Sequence, residues 1–368
     1  MKKLLIPFMM SVFSLSLSAQ PIDSLFDQPD SIFVRDYDDT YTVERDLCFR
    51  IASETGVGLA AFTAVELNRT GFFLYEKKDY ENAVILFRNA LLSDPSYVYP
   101  HYNLACTLAL MNAKGKPADI RQIVYHLHKS VELDVQRLAK SRTDTDLDSV
   151  RNHPLFKAYL LLQVNNARFE VKNDVLFLAA GGASYRVAAL SKAADYYMPV
   201  DLSPTWSVSP DGKYCAFFAE GRNGFDVYLL SHHGIVKQVT ATGGIGWESS
   251  YYDTGISWSP DSSGFVFVEG SALWYFRHSG GAYAAGLQPL TDPEDWGSII
   301  QPVFISADTV RFMKGNIFEY SFAGSEYEVT MTGGKPAYDG MVPWSGLSEV
   351  PGGRIIKGED LRGGDGGY

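Results

Sequence analysis

The hydrophobic pattern changes period once along this chain. From about residue 45 to 163 apolar residues return every three or four positions, the spacing of amphipathic helices. From about 165 onward they come in short β-branched and aromatic runs broken by Gly, Asn and Asp, the texture of strands and tight turns. Ahead of both stands an apolar stretch from Leu4 to about Leu17, with Lys2 and Lys3 before it and the small residues Ser18 and Ala19 after it. That order predicts a secretory signal peptide over residues 1–19. The stretch is too short and too interrupted by serine to cross a membrane, and no later segment approaches the roughly 20 apolar residues that a spanning helix needs. Residues 20–44 are acidic and carry no sustained period, which predicts a flexible leader, packed at most locally through Phe26 and Phe33.

Within the helical region, Leu67, Gly71, Leu74, Ala83, Phe87, Ala90 and Pro95 have the spacing of two antiparallel helices. Small residues stand where the helices cross, an aromatic ring fills the gap to the next pair, and a proline closes the second helix. A second pair is predicted from Leu104, Ala105 and Leu108 and from Ile123, Leu127 and Ser130, with NAKGKPAD between its helices. The segment TDTDLDSVRNHPLFKAYL then leads into a last helix whose proline falls near its start. This spacing resembles the tetratricopeptide repeat, and the D-L-D-x-V-R-x-H-P-x-F run resembles the stretch that closes such arrays. The resemblance implies a short α-helical solenoid over residues 45–163. Its inner face would be lined by Asn68, Phe72, Tyr75 and Tyr102 and would suit an extended or helical peptide. The basic residues with which some family members clamp a peptide carboxylate are missing.

In the strand-rich region a single phrase returns, as PTWSVSPDGKYCAFF, TGISWSPDSSGFVFV and QPVFISADTVRFM, in register on Ser209, Ser259 and Ser306. Intervals of roughly 40 to 50 residues fit a small sheet repeated so that each copy covers its neighbour's face. After Asp211 and Gly212 the order KYCAFFAE, GRNG, DVYLLS, HHG, VKQVTATGG alternates strands with turns. Weaker copies begin at Val171 and Glu349. The phrase resembles the WD40-like repeat of TolB-type β-propellers, in which S-P-D-G makes the turn between the first two strands. The resemblance implies an all-β propeller over residues 164–360, with four blades and the beginning of a fifth where six are usual. Residues 164–170 or a strand at 354–357 would pair across the junction, and the glycine-rich tail 361–368 would be disordered.

The formal charge is −11, and −13 once Lys2 and Lys3 leave with the signal peptide. Such a balance repels phosphate backbones and anionic membranes, so nucleic acid is not an expected partner. Cys48, Cys106 and Cys215 are far apart, odd in number and set in apolar patterns. Buried thiols are expected, with neither a disulfide framework nor a C-x-x-C site.

Reactive constellations are few. There is no G-x-S-x-G and no room after the propeller for a hydrolase domain, so serine-hydrolase activity is not expected. Asp144, Asp146 and Asp148 have the opening of a calcium loop, but Ser149 stands where glycine is needed and Leu155 where glutamate is needed; helix capping explains them. His126 and His128 are two apart on a helix and do not share a face. His232 and His233 fall in a turn, where they need no ligand role, and Asp292, Glu294 and Asp295 read as a solvated acidic turn. No metal or cofactor is expected. Trp247, Tyr251 and Tyr252, in the long connection GGIGWESSYYDTG, are the exposed aromatic patch expected among the strands.

These readings converge on a non-enzymatic interaction protein, a scaffold or adaptor of the bacterial cell envelope, periplasmic or extracellular. A protein partner would bind through the helical groove and the propeller surface. The alternative is a glycan or small-ligand binder that uses the propeller face.

Overall fold

The computed structural model describes residues 31–37, 40–57, 62–116, 118–172, 175–189, 206–220, 225–242, 255–279, 282–291, 298–318 and 321–331. The signal peptide, the beginning of the leader, the expected strand at 354–357 and the glycine-rich tail lie outside the described residues, as do Trp247, Tyr251 and Tyr252.

The fold is mixed α and β. Among the described residues a two-residue strand, β1 (Val34–Arg35), precedes the α-helices: α1 (Arg45–Thr55), α2 (Ala64–Glu76), α3 (Tyr80–Ser93), α4 (Val98–Ala113), α5 (Ile120–Leu133), α6 (Gln136–Thr143) and α7 (Pro154–Val164). Their starts are written locally. The Thr63 hydroxyl accepts the Glu66 N–H at 3.2 Å and donates to the Glu66 carboxylate at 3.0 Å, a reciprocal cap on α2. Asp79 and Asp119 cap α3 and α5 with their carboxylates. Consecutive helices pack in order, α2 on α3, α3 on α4 and α4 on α5. Leu67, Leu74, Ala83, Phe87, Ala90, Leu104, Ala105, Ile123 and Leu127 are all buried between them, as their spacing predicts.

The end of the array is held by one guanidinium. Arg151 donates to the carbonyls of Arg142 at 2.7 Å and Asp144 at 2.6 Å, and pairs with Asp148 at 3.0 Å. It thereby gives a partner to the Arg142 carbonyl in the last turn of α6 and adds a second bond to that of Asp144, which also accepts the Leu147 N–H at 3.2 Å. His153 Nδ1 accepts the Leu155 N–H at 3.2 Å and Pro154 opens α7, so the D-L-D-x-V-R-x-H-P-x-F run is a set of caps around buried Leu147, Val150 and Phe156.

Among the described residues the strands form four separate sheets, and none of them closes on itself. The first is β2 (Arg168–Lys172), β3 (Val175–Ala180) and β4 (Ala183–Ala189). The second contains β5 (Trp206–Val208), β6 (Tyr214–Glu220), β7 (Phe225–Ser231) and β8 (Ile235–Gln238). The third is β9 (Ser257–Trp258), β10 (Gly264–Glu269), β11 (Ala272–Ser279) and β12 (Ala282–Pro289). The fourth is β13 (Ser298–Phe304), β14 (Thr309–Phe318) and β15 (Ser321–Thr330). Within each sheet these sequence neighbours pair antiparallel, so every one is a meander. Successive sheets share apolar layers: Ala216, Val227 and Leu229 pack with Trp258, Phe265 and Phe267, and Val266, Val268 and Leu273 pack with Ile299, Val310 and Phe312.

The repeated phrase is the turn between the first two strands of a meander. Ser209 Oγ donates to Asp211 at 2.7 Å and accepts the Tyr214 N–H at 3.0 Å; Ser259 repeats this with Asp261 at 2.7 Å and Gly264 at 3.1 Å. Ser306 donates to Asp308 at 2.7 Å and accepts the Asp308 N–H at 3.3 Å, in a shortened turn. Where the first copy has Gly212 at φ +71°, the second has Ser262 at φ +60°. A side chain in that left-handed region is strained. Here its hydroxyl accepts the Asp211 N–H at 3.1 Å, tying one sheet's turn to the next.

One expectation is corrected. Residues 31–37 belong to the fold: β1 (Val34–Arg35) adds to β8 in parallel, with Val34 opposite Ile235, and Ile32, Phe33 and Val34 are buried. No period marks a two-residue strand whose partner lies some 200 residues away. Residues 168–172 are the first strand of their own meander, paired with β3 from Arg168 opposite Ala179 to Lys172 opposite Val175. One apolar core runs from the helices into the first two sheets, joining Leu155, Phe156 and Leu162 with Leu176, Leu178, Leu230 and Ile235. No described helix is long and apolar enough to cross a membrane.

Candidate functional site

Side chains from α2, α4 and the turn after α6 meet on one face of the helical array. Phe72 and Tyr75 are three apart on α2 and stack, with ring centroids 5.6 Å apart. The Tyr75 hydroxyl donates to Asp146 Oδ2, and the Tyr102 hydroxyl, from α4, donates to Asp144 Oδ2 at 2.9 Å. The same Asp144 accepts the Asp146 N–H at 3.2 Å through its other oxygen, which holds the turn at Thr145–Leu147. The array-closing run therefore has a second use. It caps its own turn and anchors two tyrosines from helices far upstream.

The structure separates the four residues expected to line this face. Phe72 is 42 % exposed, whereas Tyr102 is 1 % exposed. Tyr102 is covered from α6, with Lys140 Nζ 4.7 Å and the Arg137 guanidinium 5.7 Å from its ring. Asn68 is buried as well, and its Oδ1 accepts from Asn103 Nδ2 at 3.0 Å, a bond that ties α2 to α4. Tyr75 is partly exposed at the ring and tied at the hydroxyl. Phe72 is thus the member presented to solvent, and Tyr75 stacks on it. Asp144 and Asp146 were not expected at the site. The helix-turn pattern reveals their capping role but not which tyrosines fold onto them.

Cys106 Sγ and carboxylate oxygens of Asp144 and Asp146 lie within 4.8 Å of one another, which makes them a group with the ligand types for a metal ion. Their electrostatics favour a structural role. Burial first, and then the neighbouring carboxylates, push the Cys106 thiol well above its ordinary range. Burial also leads the upward shift of both phenols, reinforced at Tyr75 by its hydrogen bond to Asp146. A protonated thiol is a poor nucleophile and a poor ligand. Phenols that donate to carboxylates are held as donors. The arrangement fixes ring positions. Cys48 and Cys215 are buried free thiols too.

No protein-family model matches the sequence. No curated protein matches it either. Among solved structures, TolB from Acinetobacter baumannii is similar over 47 % of this chain and 39 % of its own, at 17 % identity and a TM-score of 0.28. A putative TolB from Agrobacterium tumefaciens is similar over 48 % of this chain and 62 % of its own, at 15 % identity and a TM-score of 0.27. Acylaminoacyl peptidase from Pyrococcus horikoshii is similar over 47 % of this chain and 32 % of its own, at 12 % identity and a TM-score of 0.24. The chain therefore spans less than two thirds of the length of each, and these partial likenesses assign it no activity.

Proposed function

We propose that this chain is a non-enzymatic scaffold or adaptor of the bacterial cell envelope, exported by residues 1–19. In this reading a tetratricopeptide-type array over residues 45–163 is joined to a TolB-like propeller over 164–360, and a protein partner docks on the array. The observation that carries the reading is Phe72. A large aromatic ring, 42 % exposed, is stacked on a tyrosine whose hydroxyl is tied to Asp146. Rings that are apolar, exposed and already immobilised are what protein interfaces use as anchors, because little conformational entropy is lost on contact.

The test is a pull-down from envelope extract with the mature chain and its Phe72→Ser variant, after both give the same melting temperature. Retention of defined envelope proteins by the wild type, reduced at least severalfold in the variant, is the expected result. Equal retention by both overturns the docking role of this face. Retention of nothing, with affinity for immobilised polysaccharide, would move the function to the glycan-binding alternative.

A further inference from the structure

The seam between the helices and the second sheet carries an arrangement that the sequence spacing hides. His128 on α5 and His233 in the β7–β8 turn are about a hundred residues apart in the chain, yet their rings approach to 6.0 Å between centroids. His128 is fully buried, and its Nδ1 is 2.8 Å from Gln163 Nε2 of α7. Its Nε2, and Nδ1 of His233, are buried atoms with no hydrogen-bond partner among the described residues. The His232 ring lies tilted against His233, with centroids 3.7 Å apart, and is held through Nδ1, 3.2 Å from the Lys213 carbonyl. The turn itself is seated. At Gly234, with φ +84°, an added Cβ would lie 3.4 Å from both Leu162 and the Ile32 carbonyl.

Two partnerless imidazole nitrogens facing one seam mark a place for a ligand that accepts lone pairs. We propose that His128 and His233 together bind one divalent transition-metal ion of the zinc class, clamped between α5 and the β7–β8 turn. With metal–nitrogen bonds of about 2.0–2.1 Å, two imidazoles on one tetrahedral ion have centroids roughly 5 to 5.5 Å apart, a closure of less than about 1 Å from the spacing present. Gln163 completes the design. Turning its amide over places Oε1 against His128 Nδ1, which then donates its proton there and leaves Nε2 bare for the metal, the usual outer partner of a ligating histidine. The remaining positions fall to water. Glu132, the carboxylate nearest this turn, bonds Lys129 Nζ at 3.2 Å and offsets that cation. Burial keeps both imidazoles in the neutral, ligating form, with His128 held down to about 3.

The experiment uses the untagged mature chain, stripped of metal, and titrates it with Co²⁺ as the probe and Zn²⁺ as competitor. The expected result is one Co²⁺ per chain with visible d–d bands, displaced by Zn²⁺, and hyperfine-shifted imidazole N–H resonances. Affinity falls at least tenfold in His233→Ala, a turn variant whose fold is checked by circular dichroism, and in His128→Gln if that variant folds. Absence of saturable uptake means that the two nitrogens share only water and overturns the proposal. Affinity unchanged in His233→Ala overturns it too. A thiolate-to-cobalt charge-transfer band would place the ion at Cys106 and reject the histidine site.

Discussion

Gly71 on α2 faces the ring of Phe87 on α3 so closely that a Cβ on the glycine would stand 2.8 Å from a ring carbon. Phe87 is fully buried, so its ring has little space into which to retreat. Gly71→Leu is therefore expected to force the two helices apart and to destabilise the helical region by about 1–3 kcal/mol or more. Denaturant unfolding followed by circular dichroism at 222 nm measures it. A variant as stable as the wild type would show that the helices do not depend on this close crossing.

How much of this was legible in the sequence depends on the range of the contact. Gly71, Ala83 and Phe87 lie within one helical pair, and Ser209 and Asp211 within one turn, so short-range spacing reveals both. The bonds from Tyr75 to Asp146 and from Tyr102 to Asp144 cross 71 and 42 residues, and no local period encodes them. The same limit hid β1 and the approach of His128 to His233. Periodicity put Tyr102 on the expected helix, but its burial depends on Lys140 and Arg137 arriving from a different helix.

Acid is expected to weaken the fold through a buried histidine pair. His101 Nε2 faces the Pro95 carbonyl at 3.1 Å and must donate, so its Nδ1 accepts from His126 Nδ1 at 2.9 Å, and His126 Nε2 accepts from the Tyr41 hydroxyl at 2.6 Å. Both imidazoles are neutral in this chain. Burial, followed by the charge of Lys129, lowers His101 to about 3; burial, His101 and Arg88 hold His126 well below its ordinary value. With folded values below the ordinary 6.5, stability is full above that pH and is lost as pH falls toward 3. The loss between pH 7.5 and 5 is expected to be about 2 kcal/mol from His101 alone. Unfolding free energies at the two pH values test this. A pH-independent value would mean that the pair is not neutral when folded.

Arg151 supports the turn that carries Asp144 and Asp146, so its loss should be felt at the tyrosines. Arg151→Met keeps the length of the side chain and removes the donors to Arg142 and Asp144. Stability should fall by about 0.5–1.5 kcal/mol, the net worth of a lost hydrogen bond, because the Arg142 carbonyl is exposed and that of Asp144 keeps the Leu147 N–H at 3.2 Å. Lysine at the same position should recover little, because one ammonium cannot span the separated carbonyls. Full rescue by Arg151→Lys would show that charge alone matters there.

Export is tested directly by the mass of the envelope-fraction protein. The run from Leu4 to about Leu17, followed by Ser18 and Ala19, predicts a mature chain starting at or near Gln20. An intact Met1 in that fraction would contradict it.

The segment 31–37 should behave as an element of the core although it reads as a leader. Val34 donates to the Gly234 carbonyl at 3.0 Å and Asp36 to that of Val236 at 2.8 Å, so β1 covers an edge of the second sheet that would otherwise face solvent. From the helical side, Arg121 donates to the Phe33 carbonyl at 2.7 Å and the Tyr125 hydroxyl to Asp36 at 2.6 Å; Lys237 approaches Asp36 at 3.8 Å from β8. The segment thus bonds to α5 and β8 together, across the seam. Each of Ile32, Phe33 and Val34 contributes at most about 1.5–3 kcal/mol by burial, and all three are lost together on removal. Compared with a chain starting at residue 31, one starting at residue 38 should have a lower melting temperature and should aggregate more through the bared edge of β8. Light scattering and thermal unfolding of the two chains separate these outcomes. Identical behaviour of both would mean that helices and sheet are joined without the strap.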